Sequence, residues 1–215
     1  MNAFARLIGL LALVAVLTAG QTYAQSGDAP PRSSGDILDR LRERYQSTDA
    51  LRARFTQTIG DASMEGTLTL RGDAYRIELA DQTLVTDGTT SWVYSKPDGQ
   101  VLVNDVIPDE TAFSPADFFT HYPDRFDVRV AGSQTIDGAR HDRLTLTPKS
   151  ADAFLREVTL FVRSTDALPT RVQIVDGNGT RLAFDLRDVE LNPTVGSDVF
   201  RFDPPAGTEV VDLRS

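Results

Sequence analysis

The residue types that most often perform chemistry are present in this sequence, but not at the spacing that a reactive site needs. The two histidines, His121 and His141, lie in different segments, and neither has a partner at zinc-ligand spacing. The chain has no cysteine, which excludes a thiol nucleophile, a thiolate metal site and a disulfide framework. No serine lies in a G-x-S-x-G elbow, and no phosphate-binding glycine loop opens a helix. We therefore expect neither a metal nor a cofactor.

The acidic residues are numerous but fall mostly at turns. The segment from Asp176 to Gly179 begins like a calcium loop, yet the later ligand positions are missing and a tight hairpin explains it better. A carboxylate pair of the glycosidase type has no support in the sequence. Together with the missing nucleophile motifs, this predicts a protein that is not an enzyme.

Most of the chain follows the two-residue period of half-buried β-strands. The alternating apolar positions are Leu68 and Leu70; Tyr75, Ile77 and Leu79; Trp92 and Tyr94; Leu144 and Leu146; Val158, Leu160 and Val162; and Leu182, Phe184 and Leu186. Glycine-containing turns at 87–88, 97–99, 137–138 and 176–179 separate these runs. The pattern predicts an antiparallel meander with one apolar face and one solvated face.

An amphipathic helix is predicted ahead of the strands. Ser33 or Ser34 can cap its first turn. Its apolar residues recur at three- and four-residue spacing and must lie on another apolar surface; they are Ile37, Leu38, Leu41 and Tyr45. A first strand then follows over Leu51–Ile59 and includes Phe55.

A second, shorter helix is predicted in the middle of the chain. Ser114 suits its N-cap and Pro115 its first position, so Phe118 and Phe119 would project from it. Two helices are too few to cover the apolar sides of eight or more strands. The sheet must therefore close into a filled barrel, or curl around the helices and leave a groove; the pattern alone favours the barrel.

The first 24 residues have the features of a secretory signal peptide. Arg6 supplies a positive charge, Leu7–Leu17 is an apolar run too short to span a bilayer, and Ala24 precedes a plausible cleavage position. A flexible linker is predicted for residues 25–34 and a single domain for 35–215. No later segment is apolar enough for a membrane helix, so we expect an exported, soluble and monomeric protein.

The charge of the chain bears on its partners. The formal net charge is −9 at pH 7. Nucleic acids and anionic membrane surfaces attract basic patches, so an acidic chain is a poor partner for either. We therefore expect no nucleic acid among its partners.

Several short motifs occur in a fixed order along the chain. The most specific is Leu84-Val-Thr-Asp-Gly88 followed by Trp92-x-Tyr94, a V-x-D-G hairpin with a W-x-Y partner strand. The others are Leu51–Gln57 with its Phe-x-Gln ending, Glu65–Arg71, Leu146–Lys149, and Phe200–Gly207 followed by Val210 and Asp212. In order and spacing they resemble the outer-membrane lipoprotein carrier (LolA) family along nearly the whole mature chain.

The resemblance implies a fold and a function. The fold would be an incomplete, half-open antiparallel β-barrel, with an N-terminal helix and short helices forming a lid over a hydrophobic cavity. The function would be that of a periplasmic carrier, which takes acylated lipoproteins from an inner-membrane ABC transporter to an outer-membrane acceptor. A periplasmic lipid or glycolipid shuttle of the same fold and a lipoprotein-sensing regulator remain alternatives.

The resemblance also implies site residues. Arg71 falls nearest the basic position of the family and Tyr75 nearest the aromatic residue at the cavity mouth, while Gly72 stands where proline is usual. Arg76 competes with Arg71 for the role of holding the lid. The residues expected at the cavity or lid are Leu41, Tyr45, Phe55, Leu68, Leu70, Arg71, Tyr75, Ile77, Leu79, Trp92, Tyr94, Phe118 and Phe119.

Overall fold

The computed structural model of the chain describes residues 33–106, 122–150, 153 and 155–214. The predicted signal peptide lies outside these residues, and so does the helix predicted after Ser114, with Phe118 and Phe119. Among the described residues, no helix is both long enough and apolar enough to cross a membrane.

The described chain begins with one helix and continues almost entirely as strands. Helix α1 is Ser34–Gln46, and the first strands are β1 Ala50–Ile59, β2 Ala62–Arg71, β3 Ala74–Leu79, β4 Gln82–Thr86, β5 Thr90–Ser95 and β6 Gln100–Asp105. A single helical turn, α2 (Tyr122–Arg125), precedes β7 Phe126–Ile136, β8 Ala139–Pro148, β9 Leu155–Arg163, β10 Leu168–Asp176 and β11 Arg181–Leu191. A 3₁₀ turn at Ser197–Phe200 and β12 Glu209–Asp212 follow.

All of these strands belong to one sheet. The strand order is β12-β6-β5-β4-β3-β2-β1-β11-β10-β9-β8-β7. The two antiparallel meanders, β1–β6 and β7–β11, join where β1 pairs with β11, which confirms the predicted meander. β12 departs from it, because it pairs with β6 in parallel after a long connection. The end strands β12 and β7 do not pair, so the sheet is open, and the closed barrel that the pattern favoured is wrong.

Local chemistry explains how α1 begins. The Ser33 hydroxyl accepts a hydrogen bond from the Asp36 N–H at 3.1 Å, and the Asp36 carboxylate accepts one from the Ser33 N–H at 3.3 Å. This reciprocal pair satisfies amide groups that have no partner within the helix. Of the two serines predicted as caps, Ser33 is therefore the cap.

Strand register separates an inner face of the sheet from an outer face, because directly paired residues of neighbouring strands lie on the same face. Across β2–β6 the inner row is Leu68, Ile77, Leu84, Val93 and Leu102. Across β8–β11 it is Leu144, Leu160, Val172 and Phe184. Phe184 packs against the buried cores of both regions, so the two rows belong to one continuous face.

The inner face carries two buried cores. The first core lies between α1 and β7–β10 and consists of Ile37, Leu41, Phe126, Leu144, Leu146, Val158, Leu160, Val162, Ala167, Val172 and Ile174. The second core lies on β1, β2 and β11 and consists of Leu51, Ala53, Phe55, Leu68, Leu70 and Leu186. The amphipathic face predicted for α1 is thus the face that it buries.

The outer face of β2–β6 is covered by residues 193–208, which we call the strap. The strap leaves the end of β11 and reaches the far edge of the sheet, where the chain continues as β12 beside β6. Pro193 and Phe200 of the strap are buried. Val85, Val101 and Val103 are buried apolar residues on the outer face of this region. The prediction of one solvated face is therefore wrong for this half of the sheet.

Candidate functional site

The inner face of β3–β6 presents an apolar surface that is only half-buried. It consists of Tyr75, Ile77, Leu79, Leu84, Val93 and Leu102, which we call the apolar patch. Tyr75, Ile77 and Leu79 also pack against the second core, so the patch continues the hydrophobic interior out toward solvent. Apolar surface that is continuous and accessible is typical of binding sites for apolar ligands.

Three residues of the apolar patch are not predicted by the sequence pattern. Each of Leu84, Val93 and Leu102 stands beside another apolar or aromatic residue, which blurs the two-residue period. The pairs Leu84–Val93 and Val93–Leu102 place all three on the inner face. Only the register of the two hairpins could have identified them.

Several residues predicted for the cavity are core residues. Leu41 is 1% exposed in the first core, and Phe55, Leu68 and Leu70 are buried in the second core. Tyr45 is half-buried and packs against the first core. Phe55, Leu68 and Leu70 therefore lie on the same inner face of the sheet as the patch. Leu41 and Tyr45 belong to α1, which packs on the neighbouring part of that face.

A narrow crevice lies between the C-terminal half of α1 and the sheet. Its volume is about 20 Å³. Its apolar lining is Leu41, Tyr45, Leu51, Leu70, Leu168, Pro169 and Leu191. This volume holds about one water molecule, so an acyl chain does not fit there without movement of the walls.

Trp92 and Tyr94 do not lie on this wall, which corrects the prediction for both. Trp92 pairs with Val85 and Tyr94 with Val101, so both aromatic side chains lie on the outer face. The Tyr94 and Phe202 ring centroids are 5.1 Å apart. The predicted alternation of W-x-Y is confirmed, but the predicted face is wrong, because the strap makes the outer face apolar as well.

Arg71 and Arg76 also lie on the outer face and bind the strap. Arg71 Nη1 donates a hydrogen bond to the Val195 carbonyl at 2.8 Å, and its guanidinium carbon lies 4.9 Å from the centroid of the Phe200 ring. Arg76 Nη1 lies 3.5 Å from the Val199 carbonyl. The two arginines thus hold the C-terminal segment to the sheet, and a role for either of them in holding a lid stays a prediction.

The side chains that hold α1 are on the helix itself. Arg40 donates from Nη1 to the Ser164 carbonyl at 2.8 Å and from Nη2 to the Thr165 carbonyl at 2.9 Å. Arg44 Nε donates to the Asp166 carbonyl at 2.9 Å. Both arginines therefore bind the turn between β9 and β10. Neither arginine belongs to the apolar pattern of the helix, and nothing in their spacing pointed to this role.

The acceptor turn is fixed by an ion pair of its own. The Arg163 guanidinium binds both carboxylate oxygens of Asp166, the closest contact being 2.7 Å, and Asp166 also accepts the Leu168 N–H at 3.3 Å. Partial burial alone would raise the pKa of Asp166. The hydrogen bonds from Arg163 and Leu168 and the charges of Arg163 and Arg44 outweigh it, so the pKa lies below the usual 3.8.

A second fastening lies where α1 meets β1. The Asn192 side-chain oxygen accepts the Asp49 N–H at 2.7 Å and the Ala50 N–H at 3.2 Å, and its amide donates to the Ser47 carbonyl at 2.7 Å. Asn192 directly follows β11, so it ties the end of the helix to the centre of the sheet.

The outer face also carries a groove of about 380 Å³. His141 lines it, with its ring nitrogens 3.0 Å from the Ala139 carbonyl and 2.8 Å from the Thr170 hydroxyl. Arg171 and Asp185 in the same groove form an ion pair. These polar groups form hydrogen bonds and an ion pair, and an apolar ligand would remove water from them at a cost in free energy. The groove is therefore unsuited to an apolar ligand. Among the described residues, no three potential ligands cluster as a metal site would need.

Comparison with known proteins places the chain in a family. The family model described as outer membrane lipoprotein carrier protein LolA matches residues 46–203, which is more than half of the 215 residues. The chain belongs to the LolA family. This confirms the family suggested by the sequence motifs.

Two relatives and one solved structure illustrate the similarity. The outer-membrane lipoprotein carrier protein of Alcanivorax borkumensis is 29% identical over 196 residues, covering 86% of this chain and 91% of the relative. That of Erwinia tasmaniensis is 25% identical over 197 residues, covering 83% and 89%. An uncharacterized conserved protein from Thermus thermophilus superimposes with a TM-score of 0.56 at 15% identity, covering 83% of this chain and 98% of that chain, which supports the fold alone.

Gly72, which stands where the sequence resemblance implies proline, lies in the turn between β2 and β3. Gly72 has φ +58°. Proline is locked near φ −65° and cannot adopt that conformation. The turn that this chain forms therefore could not accommodate proline at position 72.

Proposed function

We propose that this LolA-family chain is a periplasmic carrier that binds the acyl chains of lipoproteins released from the inner membrane and carries them to the outer membrane. The observation that carries the proposal is the apolar patch, which is continuous with the second core and half-buried. The donor would be an inner-membrane ABC transporter and the acceptor an outer-membrane protein, as the family resemblance implies. The carrier makes and breaks no covalent bond and has no enzymatic role.

The patch suits a carrier because its affinity for an acyl chain is limited. Full burial of each methylene contributes about 0.8 kcal/mol, so a fully enclosing cavity would hold several acyl chains too tightly to release them. A half-exposed surface removes only part of each chain from water. Binding there remains reversible, as transfer to an acceptor requires.

The net charge of −9 supports the same proposal. A protein that exposes an apolar surface needs charge of one sign to remain monomeric between two membranes. Negative charge also disfavours adsorption to anionic lipid, which would compete with delivery.

A binding measurement tests the proposal with a charge placed on the patch. Ile77→Glu should weaken binding of a synthetic triacylated lipopeptide by about tenfold or more, because the carboxylate would have to be desolvated against the acyl chains. Tyr75→Glu should act in the same direction. Thr135→Glu is the matched control, because it adds the same charge at an exposed strand position paired with Arg140 on β7–β8.

Equal lipopeptide binding by the patch variants and the control would contradict the proposal. Mass spectrometry of material that co-purifies with the protein from the periplasm provides an independent measurement. We expect acylated polypeptide, whereas free glycolipid alone would indicate a shuttle of the same fold.

A further inference from the structure

We propose that α1 is a fixed wall of the apolar site and not its moving lid, with Arg40 and Arg44 as the residues that position it. Ligand would then reach the site over the apolar patch on β3–β6, while α1 stays docked on β7–β11. The identity of the ligand as an acyl chain rests on the proposed function, whereas the docking of α1 does not depend on it.

The buried side of α1 is the first reason. Ile37 and Leu41 are part of the first core and pack with Phe126, Leu144 and Leu146. A helix that swung away would expose this core to water, because the core is formed between the helix and the sheet. A lid must be able to leave the surface it covers with only a small difference in free energy between its open and closed states. The buried contacts of α1 with the first core do not allow this.

The geometry of the two arginines is the second reason. Arg40 spans two consecutive carbonyls with its two terminal nitrogens, and Arg44 binds the next carbonyl along the turn. The guanidinium group is planar and presents its donors in a fixed fork, which suits two acceptors held side by side. A lysine at position 40 could not reproduce both contacts of the fork.

The acceptor turn also has contacts that do not involve α1, which makes it an anchor. The Arg163–Asp166 ion pair and the Leu168 N–H hold its shape from the strand side. Ala167 has φ +57° and is buried in the first core, so the turn is also fixed by packing. The junction with β1 is held separately by Asn192, so the helix is fastened at its middle and at its C-terminal end.

The apolar patch, by contrast, can receive a ligand while every one of these contacts remains in place. Its residues are half-buried, and none of them belongs to the first core or to the acceptor turn. Loading over the patch therefore requires no movement of α1.

Hydrogen exchange measured by mass spectrometry on the full chain tests this inference. In the free protein, amides of α1 should exchange about as slowly as those of β8 and β9, within roughly threefold, because both open only with the first core. The double variant Arg40→Gln/Arg44→Gln should raise α1 exchange by about tenfold or more, since it removes three charged hydrogen bonds. Arg40→Lys/Arg44→Lys should restore only part of the protection.

Arg42→Gln is the matched control, because Arg42 lies on the same helix, is exposed and pairs only with Asp39 among the contacts described. It should leave α1 exchange unchanged. Rapid exchange of α1 in the unaltered protein, or equal effects of the double variant and the control, would overturn the inference without reference to any ligand.

Adding the synthetic triacylated lipopeptide separates this inference from the proposed function. We expect slower exchange in β3–β6 and unchanged exchange in α1. Loss of protection in α1 on loading would show that the helix moves and would overturn the fixed wall while leaving the carrier function intact. Absence of lipopeptide binding would refute the carrier function, and exchange in the free protein would still decide whether α1 is fixed.

Discussion

The two halves of the sheet have the same strand pattern but bury opposite faces. In the half formed by β7–β11, the inner face is the core, and Leu144 and Leu160 are 0% exposed beneath α1. In the half formed by β2–β6, the outer face of β4–β6 is buried, with Val101 at 0% exposed, while the inner face of β3–β6 is the half-buried apolar patch. The strap thus lies over a buried face of β4–β6 on the side opposite to the apolar patch.

This exchange of faces explains how an open sheet can keep an apolar surface available. A single antiparallel layer must bury at least one face to be stable. The first half uses α1 for this purpose and the second uses the strap. The inner face of β3–β6 then does not have to be fully buried for the sheet to be stable, and its exposure is consistent with ligand binding.

The largest expected difference between the halves is in stability. Leu160→Ala should lower the free energy of unfolding by about 2–5 kcal/mol, because it leaves a cavity in a close-packed core. Leu102→Ala on the patch should cost less than about 1.5 kcal/mol, since its side chain is only partly buried. Urea denaturation followed by circular dichroism measures both. Equal losses would indicate that the patch is packed as tightly as the first core.

The fold and the site differ in how far sequence could predict them. The glycine turns and the Ser33 cap depend on residues that are close in sequence, and the structure confirms them. The face of Trp92 and Tyr94 depends on what covers the sheet, which alternation does not encode. The strap has no repeating pattern, and its buried Phe200 contacts a residue more than 100 positions away in the sequence. Local sequence therefore does not predict that the strap packs on the sheet.

The contribution of the strap to stability can be tested by truncating its buried ring, Phe200. Phe200→Ala should lower the free energy of unfolding by about 3 kcal/mol, because Phe200 is buried and lies under the Arg71 guanidinium. Phe202→Ala is the matched control at a half-buried position of the same segment and should have the smaller effect. The measurement is again urea denaturation. A Phe200 effect no larger than that of Phe202 would mean that the buried Phe200 ring is not the main anchor of the strap.

A smaller effect is expected at the polar contact of the strap. Arg71→Gln removes the hydrogen bond to Val195 and the interaction with the Phe200 ring, and should cost about 1–2 kcal/mol. Arg52→Gln is the control, because Arg52 is an exposed outer-face arginine that pairs with Glu190. Its loss should be below about 1 kcal/mol. Thermal denaturation compares the two variants, and equal shifts in Tm would contradict a specific role for Arg71.

The smallest expected effect concerns the turn that holds α1, and it depends on pH. Asp166→Asn removes the charge that pairs with Arg163, and because each side chain is 37% exposed, the loss at pH 7 should be no more than about 1 kcal/mol. The pKa of Asp166 is lower in the folded protein than its usual 3.8, so its ionised form contributes stability above that value. As pH falls through the depressed pKa, the folded protein takes up the proton and this contribution disappears. The stability difference between the unaltered protein and Asp166→Asn should therefore be constant above about pH 5 and narrow as the pH approaches 3. A stability difference that stayed constant across this pH range in urea titrations would show that the turn is held by its backbone and by the packing of Ala167. It would mean that α1 docks on a turn whose shape does not depend on the ion pair.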